Sequence, residues 1–124
     1  MTRAILDEAQ IHPVARPLIG SKHQDIVREV QAAIAAHQVV VVGMALNPFP
    51  RKARKILDVL GTPYQYLQYG SYLNQWHRRN ALKMWTGWPT FPMVFVNGVL
   101  IGGASELQKI VENGEFSAML AKKL

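Results

Sequence analysis

Two periods of apolar residues run along this chain, and they sort it into helices and strands. Ile26, Val27, Val30, Ala33 and Ile34 recur at helical spacing, so a first helix opens at Gly20-Ser21, with Ser21 and Gln24 in capping-box register. Val39-Val40-Val41-Val42 is β-branched and continuously apolar, the pattern of a strand buried on both faces. A second helix runs from Pro48 to about Leu60. It turns Ala53, Ile56, Leu57 and Leu60 inward and leaves Arg51, Lys52, Arg54 and Lys55 to water. Gly61 stops this helix, and Pro63 follows just beyond.

Tyr64-Gln65-Tyr66-Leu67-Gln68 alternates as a second strand. Ser71 caps a third helix, Tyr72 to Trp85, with Leu73, Trp76 and Leu82 as core candidates. Met93–Val96 and Val99–Ile101 flank Asn97-Gly98, a two-residue hairpin signal. Gly102-Gly103 leads into a fourth helix, where Ser105 and Gln108 repeat the capping-box spacing. Asn113-Gly114 ends it, and a short last helix carries Phe116, Met119 and Leu120. This order predicts an α/β fold. A parallel strand pair with a right-handed crossover joins an antiparallel hairpin in a mixed four-stranded sheet, with helices on both faces. Residues 1–19 form an N-terminal arm broken by Pro13 and Pro17, and residues 20–124 form one domain.

Composition narrows the chemistry. A hydrophobic fraction of 49% against 18% charged belongs to a chain that folds around a core rather than a disordered one. The longest apolar run, Val39–Leu46, is too short to span a bilayer, and Asp7 and Glu8 stand where a secretory leader would be apolar. A cytoplasmic location without membrane association is the expectation. The net charge of +6 favours anionic partners, yet no nucleic-acid motif accompanies it, so nucleic acid is not the expected partner. His12, His23, His37 and His77 lack ligand spacing, and no metal site is expected. Trp76, Trp85 and Trp88 read as packing residues and a loop anchor rather than a stacking platform. The chain contains no cysteine and therefore has no thiolate of its own.

Three local patterns carry the candidate site. The first is the strand–turn–helix through Asn47-Pro48-Phe49-Pro50. Asn47 is a good N-cap with Pro48 at N1, and its side-chain oxygen can accept from the Phe49 N–H because Pro50 at N3 has none. The second is Trp88-Pro89-Thr90-Phe91-Pro92, and the third is Asn97-Gly98 followed by Gly102-Gly103.

Taken in this order over Val39 to Gly114, the three resemble the glutaredoxin branch of the thioredoxin fold, and its monothiol members in particular. Asn47-Pro48-Phe49-Pro50 is similar to C-P-[YF]-C, and Trp88–Pro92 resembles W-P-T-x-P. The resemblance implies a thioredoxin-like fold and a groove for glutathione. It sets Asn47 at the attacking cysteine, and Pro50 at the resolving cysteine or the serine of monothiol members. Pro92 becomes the cis-proline, with the backbone of Phe91 left to pair with the glutathione peptide. Arg79, in Arg79-x-x-Leu82-Lys83, matches a basic position on the glycine carboxylate. Gly103, Ala104 and Ser105 match the loop that holds the γ-glutamyl end. Two positions depart further, since Met44 replaces a lysine and Ser105 an aspartate. With Phe49 added, the expected groove is Met44, Asn47, Phe49, Arg79, Phe91, Pro92, Gly103, Ala104 and Ser105. Monothiol relatives hold a [2Fe–2S] cluster through one cysteine, so no cluster is expected here.

With no catalytic residue at the family position, the expected function is non-catalytic binding of glutathione or an extended protein segment, linked to thiol homeostasis. No cofactor is required beyond possible glutathione. One alternative is an enzyme that uses the thiol of bound glutathione, positioned by Arg79. Another turns the basic Arg51–Lys55 face towards nucleic acid or an acidic protein. Oligomeric state and the role of residues 1–19 have no signature in the sequence.

Overall fold

Four consecutive valines organise the domain. The computed structural model describes residues 3–18, 24–70 and 76–122. Two 3-10 turns in the arm, Glu8–Gln10 and Arg16–Leu18, precede α1 (Gln24–Ala36), β1 (Val39–Gly43), α2 (Pro48–Val59) and β2 (Gln65–Gln68). These are followed by α3 (Trp76–Thr86), β3 (Met93–Val96), β4 (Val99–Gly102), α4 (Ala104–Glu112) and α5 (Glu115–Ala121). The expected caps at Ser21 and Ser71, and the core candidate Leu73, lie outside the described residues.

The strands form one sheet in the order β2-β1-β3-β4. β1 pairs with β2 in parallel, while β1–β3 and β3–β4 are antiparallel. The interior strands alternate their side chains between two cores. Val40, Val42, Met93 and Phe95 pack under Ile26, Val27 and Val30 of α1 and Leu82 of α3. Val39, Val41, Val94 and Val96 pack under Ala53 and Leu57 of α2, Ala104 and Leu107 of α4, and Phe116 of α5. Burial on both faces is why these strands read as unbroken apolar runs. In the hairpin, Asn97 and Gly98 take φ of 51° and 77°, the left-handed pair that a type I′ turn requires.

Four local expectations are corrected. Leu60 does not turn inward; it caps α2 and is 46% exposed, because the helix ends at Val59 before its next inward turn. Arg54 faces water only in part. Its guanidinium lies 4.1 Å above the Tyr66 ring, and its Nε is buried without a partner among the described residues. Trp76 is 52% exposed, its ring tilted against His77, because the inward places on α3 go to Arg79 and Leu82. The α4 start is capped two residues earlier than Ser105. Gly103 is the N-cap, and its N–H donates to Glu106 Oε1 at 2.8 Å, so the glutamate half of a capping box does the work.

Gly43, the last residue of β1, sits in tight surroundings. A Cβ built there would stand 2.7 Å from Pro50 Cβ and 2.9 Å from the Tyr66 hydroxyl. The proline ring has no rotamer by which to move away. Gly43→Ala is therefore expected to destabilise the domain by about 1–3 kcal/mol, the usual range for overpacking. Urea unfolding would show a lower midpoint at constant slope; an unchanged midpoint contradicts this packing.

Candidate functional site

Strand register gathers the site from four distant segments. Val42 lies opposite Met93, Gly43 opposite Gln68, and Val94 opposite Gly102. The chain leaving β1, the chain leaving β2, the chain entering β3 and the chain leaving β4 therefore meet at one end of the sheet. That end carries the carboxyl termini of the parallel pair, where open α/β sheets usually bind ligands. Short bonds tie the loops together: Ala45 N donates to the Gly70 carbonyl at 2.7 Å, and Tyr69 N to the Gly43 carbonyl at 2.9 Å. Gly103 lies so near the proline loop that a Cβ on it would stand 3.5 Å from the Pro92 carbonyl.

Asn47 has the cap geometry expected of it. Its backbone is extended, and Oδ1 accepts from Phe49 N at 3.0 Å. A helix start normally offers four amides without intrahelical acceptors. Here Pro48 and Pro50 supply none, and that of Phe49 is already taken, leaving only the amide of Asn47 itself. Such a start has little capacity to hold an anion or to stabilise a thiolate. The start of α4 differs. The amides of Ala104 and Ser105 follow the Gly103 cap and have no intrahelical acceptor, and Ser105 itself is exposed.

The Phe91-Pro92 peptide bond is cis. Both residues precede the β1–β3 ladder, which begins at Met93. The Phe91 side chain is buried in the α1–α3 core, and Lys83 Nζ stands 5.8 Å from its ring centre. Beside it, Trp88 Nε1 is buried without a hydrogen-bond partner among the described residues. Phe49 is 58% exposed at the lip of the turn.

Two expected groove residues point into the protein. Met44 is buried in the same core as Tyr69 and Phe91. Arg79 is 6% exposed, and its Nη1 donates to the Tyr69 carbonyl at 3.1 Å. Arg79 thus braces the chain where it leaves β2. Tyr69 is a residue the sequence reading missed. Its hydroxyl donates to Glu29 Oε1 at 2.5 Å, with the Arg78 guanidinium 5.6 Å from its ring and Arg78 paired to Asp25 at 2.9 Å. Burial, and then the bond to Glu29, push the Tyr69 phenol well above the ordinary tyrosine range. Glu29 and Asp25 come from α1 and Arg78 from α3, so Tyr69 locks the two helices behind the site. Lys83 was also absent from the expected groove, although it shares the segment that marked Arg79.

Among the described residues, no group of three histidine, aspartate or glutamate side chains could hold a metal ion, and no helix is long and apolar enough to cross a membrane. The four-stranded mixed sheet, its flanking helices and the proline loop facing a helix start define a thioredoxin-like fold. The profile of the family described as Glutaredoxin matches residues 39–101. A glutaredoxin-like protein of Dictyostelium discoideum is 45% identical over 105 residues, covering 85% of this chain and 85% of that one. An uncharacterized monothiol glutaredoxin of Synechocystis is 32% identical over 96 residues, covering 73% and 87%. The crystal structure of a buckwheat glutaredoxin–glutathione complex superposes with a TM-score of 0.69 at 26% identity, covering 82% and 92%. The chain belongs to the glutaredoxin family.

The amide-poor start of α2, with Pro48 and Pro50 in its first turn, allows a direct test with sulfur. A cysteine introduced as Asn47→Cys should titrate near the free-thiol value of about 8.5, rather than in the range of about 3.5–7.5 found at good helix starts. The pH dependence of iodoacetamide alkylation measures this directly. A thiol pKa below about 6 would show that the helix start keeps its activating power.

Proposed function

We propose that this glutaredoxin binds glutathione, or a peptide backbone of the same shape, and does no sulfur exchange of its own. The observation that carries the reading is the contrast between the two helix starts that face the proline loop. At α2 the amides are deleted or capped; at α4 those of Ala104 and Ser105 remain free of intrahelical acceptors. Recognition groups persist where the thiolate machinery does not.

Glutathione fits this edge in part. The carboxylate at its γ-glutamyl end suits the first-turn amides of α4, at the positive end of the helix dipole. Lys83, next to Phe91, offers a cation to a carboxylate at the other end of the ligand, a role the inward-directed Arg79 is poorly placed to take. The backbone of Phe91 lies outside the sheet ladder, so an extended peptide could run alongside it. Met44, apolar and buried, offers the sulfur no polar partner. Affinity should therefore be modest, around millimolar, or about −4 kcal/mol. The reading as an enzyme that works through the ligand's own thiol gains no support from the turn, where Met44, Pro48 and Pro50 carry no titrating group.

Amide NMR shifts recorded during a glutathione titration test the proposal. Resonances of Phe91, Gly103, Ala104 and Ser105 should move in fast exchange, and Lys83→Ala should weaken the response roughly tenfold, about 1.4 kcal/mol. No movement at these residues with millimolar ligand contradicts it.

A further inference from the structure

A valley between α2 and α4, away from the groove, is built to take a helix. Both helices start at the site end of the sheet and run down the same face, packed on one core through Ala53, Leu57, Ala104 and Leu107. Between them lies a cleft of about 430 Å³. Its floor is Ile56 and Val111, partly buried against the core. It opens at Val59, which is 78% exposed, and at Leu60. Lys52 and Lys55 line the α2 side. On the α4 side Gln108 Nε2 donates to Glu112 Oε1 at 3.1 Å, and that one carboxylate stands against two lysines, so the valley keeps a net positive charge.

Charge selects the occupant. The ion pair among the described residues, Arg78–Asp25, lies on the α1–α3 face, and neither Lys52 nor Lys55 has an acidic partner among those residues. A second copy would bring two lysines and one glutamate from each side, leaving a shared valley with net positive charge, which disfavours self-association there. Nucleic acid would satisfy the lysines but gain nothing from an apolar floor and mouth. A helix with one apolar stripe and one acidic flank satisfies both, in the helix-in-groove manner. We propose that this valley docks an acidic amphipathic helix of a partner protein, with apolar anchors over Ile56, Val59 and Val111 and carboxylates against Lys52 and Lys55. The proposal does not depend on what the proline-loop groove binds.

The probe is a synthetic helix of about 16 residues, long enough to span the roughly 18 Å of α2, with leucines at i, i+3, i+4 and i+7 and glutamates along one flank. Titrated into the 124-residue chain, it should shift the amides of Lys52, Lys55, Val59 and Val111 and leave Phe91 and Ala104 still. The double variant Lys52→Glu/Lys55→Glu should lose affinity roughly tenfold and gain binding to a lysine-flanked version of the peptide. Val59→Asp, also at the surface, should weaken the glutamate peptide without changing the fold by circular dichroism. The proposal is overturned if the glutamate peptide gives no shifts in the valley. An equal response to a scrambled or lysine-flanked peptide overturns it too, as does a DNA duplex giving the same shifts more tightly at physiological salt.

Discussion

The hydrogen-bonded register of β1 on β3 sets Val42 opposite Met93, and every feature of the site follows from that pairing. It seats the Asn47 turn beside Phe91-Pro92, while the hairpin returns Gly103 to the same edge. A slip of one residue would exchange the two cores, since alternate side chains would change faces. Apolar character alone cannot forbid that slip, because every position of β1 before Gly43 is valine. Gly43 can: the space above it is filled by the Pro50 ring and the Tyr66 hydroxyl, and a valine moved into that position would collide with both. The residue that occupies the second cysteine position of the family thus has a packing role here.

Around this frame the polar groups divide into bracing and reception. Arg79 and Tyr69 are buried, and through the Tyr69 carbonyl and the Tyr69 hydroxyl bond to the exposed Glu29 they link the chain leaving β2 to α3 and α1. Ser105 is exposed and Lys83 half-buried at this edge, whereas Ala104 and Phe91 are buried. A helix start stripped of amides by Pro48 and Pro50 complements the missing cysteine, since it would do little to activate a thiol there. Both departures from the redox pattern support the proposed recognition without exchange.

Much of this was legible in the residues. The valine run, the Asn97-Gly98 turn and the glycine after α2 have strong local causes, and they yielded the element order and the mixed sheet. The Asn47 cap was readable because Pro50 left its oxygen a single nearby donor. The failures share a different cause, namely partners on other elements. Amphipathicity put Arg54 on the outer face of α2 but could not show that Tyr66 on β2 would draw its guanidinium back over a ring. The same periodicity could not tell whether α3 would bury Trp76 or Arg79, because that depended on a carbonyl of Tyr69. Capping spacing chose Ser105, whereas the extended backbone at Gly103 and the reach of Glu106 decided the start. Lys83 reads in the sequence as one member of a basic rim, and its nearness to Phe91 could not be seen because Phe91 lies on a loop beyond the helix.

Recognition that bypasses sulfur can be separated from recognition that uses it by calorimetric comparison of glutathione with S-methylglutathione. Capping the thiol removes its proton and its charge but leaves both carboxylates and the peptide backbone in place. Affinities equal within about twofold, under half a kcal/mol, are the predicted result. A preference for the free thiol greater than roughly tenfold, about 1.4 kcal/mol, would mean that some group of this chain still engages the sulfur, contrary to this account.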